Sequence, residues 1–114
     1  MVPTTVGIVA AAKAVEDEGA VGKVYVTGIA LPSELAGHVK AGSVKSFAIW
    51  NPIDLGYATV QVAVAIARGA QAGPGATISD GRLGQISFDA QGSGPMGKPT
   101  IYDKSNVEEY AKIF

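Results

Sequence analysis

Ser46-Phe47-Ala48-Ile49-Trp50-Asn51-Pro52-Ile53-Asp54-Leu55-Gly56 is the stretch on which the reading of the fold turns. An apolar run ends in an aromatic residue, Asn-Pro breaks it, and Asp54 opens a new periodic segment. Phe47 to Trp50 reads as a buried strand, because β-branched and aromatic residues fit a pleated interior. Proline fixes its own φ and crowds the residue before it, so Asn51-Pro52 forces an extended or turn conformation. Asp54 is expected to cap the next helix, at the end where the dipole favours a carboxylate. A strand that delivers Trp50, Asn51 and Asp54 to its carboxyl end is how an α/β sheet presents a small-ligand site. A stacking face, an amide and a carboxylate suit a sugar ring better than a phosphate or a metal. The competing reading is a buried Trp followed by a helix cap.

Working outward, helices and strands alternate. Thr4 or Thr5 can cap a helix running to about Asp17, which Gly19 stops. Lys23 to Gly28 alternates, is β-branched and reads as a strand. Pro32 to Lys40 reads as a short helix ended by Gly42. Lys45 to Trp50 is the next strand. From Asp54 to Ala70, Val60, Val62, Val64 and Ile66 alternate as in a strand, while Leu55, Ala58, Val62 and Ala65 or Ile66 form a helical stripe. Helix is the reading adopted, because 17 residues far exceed an ordinary strand of about 5–6. Gln71 to Gly75 reads as loop. Gln85 to Asp89 and Lys98 to Tyr102 read as short strands around a Gly-rich turn, and Ser105 or Asn106 caps a last helix. Such alternation with short connections predicts an α/β fold built on a doubly wound parallel sheet.

Composition removes several classes of function. At 114 residues the chain allows one modest domain. Hydrophobic residues at 47 % against 17 % charged ones exclude a disordered chain. Nine basic and ten acidic side chains leave a net charge of −1, with no basic run to attract nucleic acid or an anionic membrane. There is no cysteine, hence no disulfide, zinc thiolate or Cys nucleophile. His38 stands alone and reads as a solvated helix residue rather than a metal ligand. None of the serines lies in a Gly-x-Ser-x-Gly context, so no catalytic residue is assigned and the chain is not read as an enzyme. Gly92-Ser93-Gly94-Pro95-Met96-Gly97 spells a dinucleotide fingerprint but precedes a strand instead of a helix. A surface turn explains it better, and no cofactor or metal is expected. Glu16-Asp17-Glu18 reads as a solvated acidic run.

Several segments in order carry a family resemblance. They are Pro3-Thr4-Thr5 before an Ala-rich helix, Val24-Tyr25-Val26-Thr27-Gly28 followed by Leu31-Pro32-Ser33-Glu34, and Trp50 to Gly56. Gly81-Arg82-Leu83-Gly84 and Ile101-Tyr102-Asp103-Lys104-Ser105-Asn106 complete the set. Together they resemble the C-terminal third of periplasmic sugar-binding proteins of ABC importers, above all the rhamnose-binding group and its autoinducer-2-binding relatives. The resemblance implies a partial lobe of the periplasmic binding protein fold, with a helix and short strands that belong to the second lobe in the parent fold. Residues 1–50 would be part of the C-terminal lobe, 51–84 a crossing segment and helix, and 85–114 the returning strands and last helix, in one folded unit overall.

It also implies a small sugar as ligand, an ABC permease as partner of the parent protein, and a periplasmic location. The implied ligand contacts are Pro3, Thr4 and Thr5 at a helix N-terminus, with Trp50, Asn51 and Asp54. Ala30 stands where ribose-binding relatives carry a sugar-binding Asp, which favours the rhamnose or autoinducer group. The ligand domain of a sensor or transcriptional regulator is the alternative, although no helix-turn-helix segment is visible. The N-terminus has no signal-peptide pattern, so within this resemblance Met1 is expected to open a truncated or internal reading frame. The helix after Asp54 is apolar on more than one face, which predicts a homo-oligomer, most simply a symmetric dimer.

Overall fold

The structure is a computed structural model describing residues 1–114. It divides into two compact units, Met1–Ile49 with Pro99–Phe114, and Trp50–Lys98.

The first unit begins with helix α1, Thr5–Asp17. Thr4 is its N-cap, its hydroxyl accepting from the Gly7 N–H at 3.2 Å. Helix α2, Pro32–Ala41, opens with Pro at its first position and ends at Gly42, whose φ of 91° is the left-handed conformation glycine tolerates. Strand β1, Ser46–Ile49, pairs antiparallel with the last strand, Thr100–Asp103, in the register Phe47 to Tyr102. The parallel part of the sheet is carried by single bridges. Val2 pairs with Gly28, Val26 with Val44, and Ile29 with Ala48. Segment 26–30 thus has a neighbour on each side, and the unit is a partial α/β lobe with an antiparallel edge.

The strand expected over Lys23–Gly28 starts later than its pattern indicates. Gly19 and Gly22 take φ of 61° and 86°, and the Val24 N–H turns back to the Ala20 carbonyl at 2.9 Å. Residues 20–24 are therefore a turn, closed on itself by a Val21–Val24 bridge, and pairing with other segments begins at Val26. The strand expected over Lys98–Tyr102 likewise begins two residues later and ends one later, at Thr100–Asp103. A short helix, Val107–Tyr110, follows Asn106, whose side chain bonds the Asp103 N–H and the Ile101 carbonyl instead of capping it.

The core of this unit joins Ile8 and Ala12 of α1, Leu35 and Val39 of α2, and Val26, Ala30, Val44, Phe47 and Tyr102 of the extended segments. Tyr102 stacks on Phe47 at 5.4 Å and meets Tyr110 edge-on at 5.1 Å, the arrangement that ring quadrupoles favour.

His38 and Glu16 are not the solvated residues the sequence indicates. Glu16 Oε1 accepts from the fully buried Ser43 hydroxyl at 2.5 Å and lies 2.8 Å from His38 Nδ1, whose side chain is 17 % exposed. The cluster joins the end of α1 to the end of α2, and leaves His38 no role as a free ligand. Of the acidic run, Asp17 pairs with Lys13 one turn back.

The second unit holds helix α3, Pro52–Ala67, so the ambiguous segment is helical. Asn51, not Asp54, is the N-cap: its Oδ1 accepts from the Ile53 N–H at 2.9 Å and the Asp54 N–H at 3.4 Å. With Pro52 at the first helical position, Asp54 falls in the first turn, where its charge still meets the dipole but its side chain is free to reach elsewhere. A hairpin follows, β2 (Thr77–Ser79) against β3 (Gln85–Ser87), around a 3-10 turn at Gly81–Leu83. Strand β2 has no period to read in three residues after a Gly-rich loop. Only Ala58, Ile78 and Asp80 are buried in this unit, while Val60 on α3 is 59 % exposed. Asp89 Oδ1 accepts from the Gln91 and Ser93 N–H groups and holds a turn over Asp89–Gly92, at the entrance to the Gly92–Gly97 run, which itself forms no helix or strand.

The Ser43 and His38 hydrogen bonds hold the Glu16 carboxyl below its ordinary value of 4.5. A depressed folded-state pKa contributes stability that is present above the unfolded value and lost as pH falls through the folded one. The melting temperature should therefore fall as pH drops below 4.5, and in Glu16→Gln part of that fall should disappear. Thermal melts across the acid range read this directly; an identical pH profile in the variant would show that the cluster carries no linkage.

Candidate functional site

Six residues were singled out by sequence. Pro3, Thr4 and Thr5 lie in the first unit, and Trp50, Asn51 and Asp54 in the second. At the start of α1, Pro3 and Thr4 are exposed and Thr5 is half-buried. The Thr4 hydroxyl is taken by its capping bond, so what this end offers a ligand is chiefly backbone N–H and the positive end of the dipole.

In the second unit, Trp50 is 38 % exposed and its Nε1–H donates to the Gly97 carbonyl at 2.9 Å. Its one polar group is thereby used, and what remains for a ligand is aromatic surface. Asn51 Oδ1 is committed to the α3 cap, and its amide NH₂ is the group left over. Asp54 Oδ1 accepts from Arg82 Nη2 at 2.5 Å. The Arg82 guanidinium also lies 4.6 Å over the Tyr57 ring, a cation–π contact, and its backbone N–H reaches the Tyr57 hydroxyl at 3.4 Å. Gly81 makes this possible, because a Cβ there would run into the Tyr57 hydroxyl. Thus Arg82, noted in sequence only as part of Gly81-Arg82-Leu83-Gly84, is tied to Asp54 across 28 residues.

Asp54 lines a cavity of about 310 Å³ within this unit, together with Asp80, Gln85, Ile86, Met96 and Gly97. A second, more apolar groove of about 210 Å³ runs along α3 between Leu55, Ala58, Val62 and Phe88. Asp80 and Gln85 escaped the sequence reading, since an Asp before Gly-Arg reads as an ordinary turn residue. Nothing in either cavity pairs a nucleophile with a base, and no three His, Cys, Asp or Glu side chains gather as a metal set. The chemistry on offer in the first cavity is hydrogen bonding from Asp54, Asp80 and Gln85 beside apolar Ile86 and Met96.

Comparison with known proteins follows the same lines. A family model for the periplasmic binding protein domain matches residues 1–71. The chain belongs to the periplasmic binding protein family. Among solved structures it is similar to a sugar ABC transporter from Actinomyces odontolyticus, at 36 % identity over 95 % of this chain and 35 % of that one, with a TM-score of 0.80. It is also similar to an ABC transporter solute-binding protein from Clostridium phytofermentas with bound L-rhamnose, at 33 % identity over 98 % of this chain and 39 % of that one, TM-score 0.84. LsrB from Clostridium saccharobutylicum in complex with AI-2 shares the fold at 19 % identity, over 96 % of this chain and 40 % of that one, TM-score 0.79. The chain spans well under half the length of each. No curated protein sequence matches it. No helix is long and apolar enough to cross a membrane.

Because Asn51 satisfies two of the orphan N–H groups of α3, Asn51→Ala should destabilise the helix start by about 1 kcal/mol. Hydrogen exchange at the Ile53 and Asp54 amides should speed up accordingly. Unchanged protection at both would show that the side chain does not cap the helix in solution.

Proposed function

We propose that the chain is part of a solute-binding protein that captures a small, rhamnose-like sugar for an ABC importer in the periplasm. The observation that carries this reading is its 33 % identity over 98 % of the chain to a rhamnose-bound solute-binding protein. The autoinducer-2 alternative rests on a likeness of 19 % identity, which speaks for the fold and not for the ligand. The proposed ligand contacts are the α1 N-terminus at Pro3, Thr4 and Thr5 in one unit, and Trp50, Asn51 and Asp54 in the other. In this reading Trp50 supplies the stacking face for the sugar ring, and Asn51 and Asp54 exchange hydrogen bonds with its hydroxyls. No catalytic step is assigned, and an ABC permease is the partner of the whole protein.

Tight binding in two-lobed proteins comes from polar groups closing on the ligand from both sides. This chain spans about two-fifths of the rhamnose-bound relative. Its own affinity for L-rhamnose should be no tighter than about millimolar, near −4 kcal/mol. Saturation-transfer NMR detects binding in that range, and Trp50, the only tryptophan, should change its fluorescence on titration. Micromolar affinity would contradict the incomplete site, and absence of any saccharide signal would overturn the sugar reading.

The same reading expects a homodimer. Val60, Val64 and Ile66 of α3 are exposed, and burying each is worth roughly 1.5–3 kcal/mol. A symmetric contact through this helix should cover more than about 1,000 Å². Sedimentation at micromolar concentration should show a dimer; a stable monomer refutes it.

A further inference from the structure

Asp80 is the only charged residue of the chain that is fully buried, at 1 % exposure, and its Oδ1 has no hydrogen-bond partner. A buried, unpaired acceptor is costly, and a carboxylate more so than a neutral one. Asp residues in turns ordinarily satisfy themselves from the N–H two residues on. Two others in this chain do so: Asp89 accepts from Gln91 N–H at 2.9 Å, and Asp103 from Ser105 N–H at 2.8 Å. At Asp80 the equivalent group is the Arg82 N–H, which donates instead to the Tyr57 hydroxyl. The Arg82 guanidinium passes Asp80 by as well and bonds Asp54. The backbone of Asp80 is fully used, N–H to Gly84 and carbonyl from Leu83, so the turn itself is secure without the side chain.

The carboxylate therefore does nothing visible for the fold, yet it lines the 310 Å³ cavity with Asp54, Gln85, Ile86 and Met96. With Asp54 neutralised by Arg82, the cavity keeps one uncompensated acceptor, an amide that both gives and takes hydrogen bonds, and an apolar wall. Donor groups must come from the occupant. A divalent cation is poorly served by two carboxylates of which one is already paired. A neutral ring with several hydroxyls on one edge and C–H groups on its face matches all three features.

We infer that this cavity is a hydroxyl-binding subsite, in which the Asp80 carboxylate accepts from hydroxyl groups of a monosaccharide or polyol while Ile86 and Met96 meet the ring. This rests on the sugar-binding reading and adds to it a residue and a pocket that lie within the second unit. Because Asp80 has no partner to lose, its removal should affect ligand and stability in opposite ways.

The test compares the full chain with Asp80→Asn by saturation-transfer NMR and by the methyl shift of Met96, using L-rhamnose as probe and methylammonium chloride as control. A hydrogen bond to a charged acceptor is worth about 1.5–3 kcal/mol, so the variant should bind rhamnose at least about tenfold more weakly. Its melting temperature should be unchanged or higher. In the wild-type chain, rhamnose and not methylammonium should move the Met96 methyl. Equal rhamnose binding by both proteins with an unmoved Met96 would overturn the subsite while leaving the sugar reading intact. A lower melting temperature with unaltered binding would make Asp80 a structural residue, and a Met96 response to methylammonium alone would replace hydroxyl recognition by cation recognition. Failure of rhamnose to bind either protein would remove both readings.

Discussion

Gly28 lies where two other pieces of backbone come together, and the first unit depends on that approach. The Val2 N–H donates to the Thr27 carbonyl and the Ile29 N–H to the Val2 carbonyl, while on the other side the Ala48 N–H donates to Gly28, all at 2.8–3.0 Å. A Cβ at position 28 would collide with the Val2 carbonyl, so glycine is required by contact and not by conformation. Once Val2 is fastened there, α1 starts three residues later with its Ile8 and Ala12 buried. Once Ala48 is fastened, Phe47 is placed to stack on Tyr102. The helices, the sheet and the aromatic cluster thus share one origin in a few backbone bonds.

Elements whose signals are local were legible in sequence. Thr4 with its cap, Pro32 and Gly42 bracketing α2, and the chain break at Asn51-Pro52 each act within three or four residues, although the cap of α3 falls on Asn51 and not on Asp54. The α/β character was legible too, because alternation of helical and extended segments survives errors at every boundary; the parallel sheet expected from it is present only as single bridges. What failed depended on pairing. Val26–Ala30 is bound on both sides but in single-residue bridges, and its start was hidden by two glycines that bend the chain before it. Strand β2 acquires its identity only from β3 opposite, where Ile78 faces Ile86. The antiparallel direction of the last strand is a fact about the return path of the chain, to which local pattern is blind.

Polar residues were misread for a related reason. Along the chain every Asp, His or Trp looks unoccupied, whereas folding spends most of them on distant partners. His38 is 22 residues from Glu16, Asp54 is 28 from Arg82, and the Trp50 ring is 47 from the carbonyl it bonds. None of these separations follows a helical or strand period. The residues most conspicuous by type were thus partly committed already, Asn51 and Asp54 among them, and each retains only a remainder of its hydrogen-bonding capacity.

That remainder is what matters to a ligand. A group whose partners lie within the protein is held in place and offers its unused lone pairs or protons in a fixed direction, as Asp54 does under Arg82. A group with no internal partner contributes energy only when something else arrives. Tyr57 determines which residues fall into each class in the second unit. By accepting the Arg82 N–H it denies Asp80 its ordinary turn partner, and by lying beneath the guanidinium it holds that cation toward Asp54. Its contact with Gly81 requires a residue without a side chain at the start of the turn. A single phenol on α3 thereby sorts two carboxylates of the same chemistry into one that is positioned and one that is left to be satisfied, a distinction that residue identity alone does not carry.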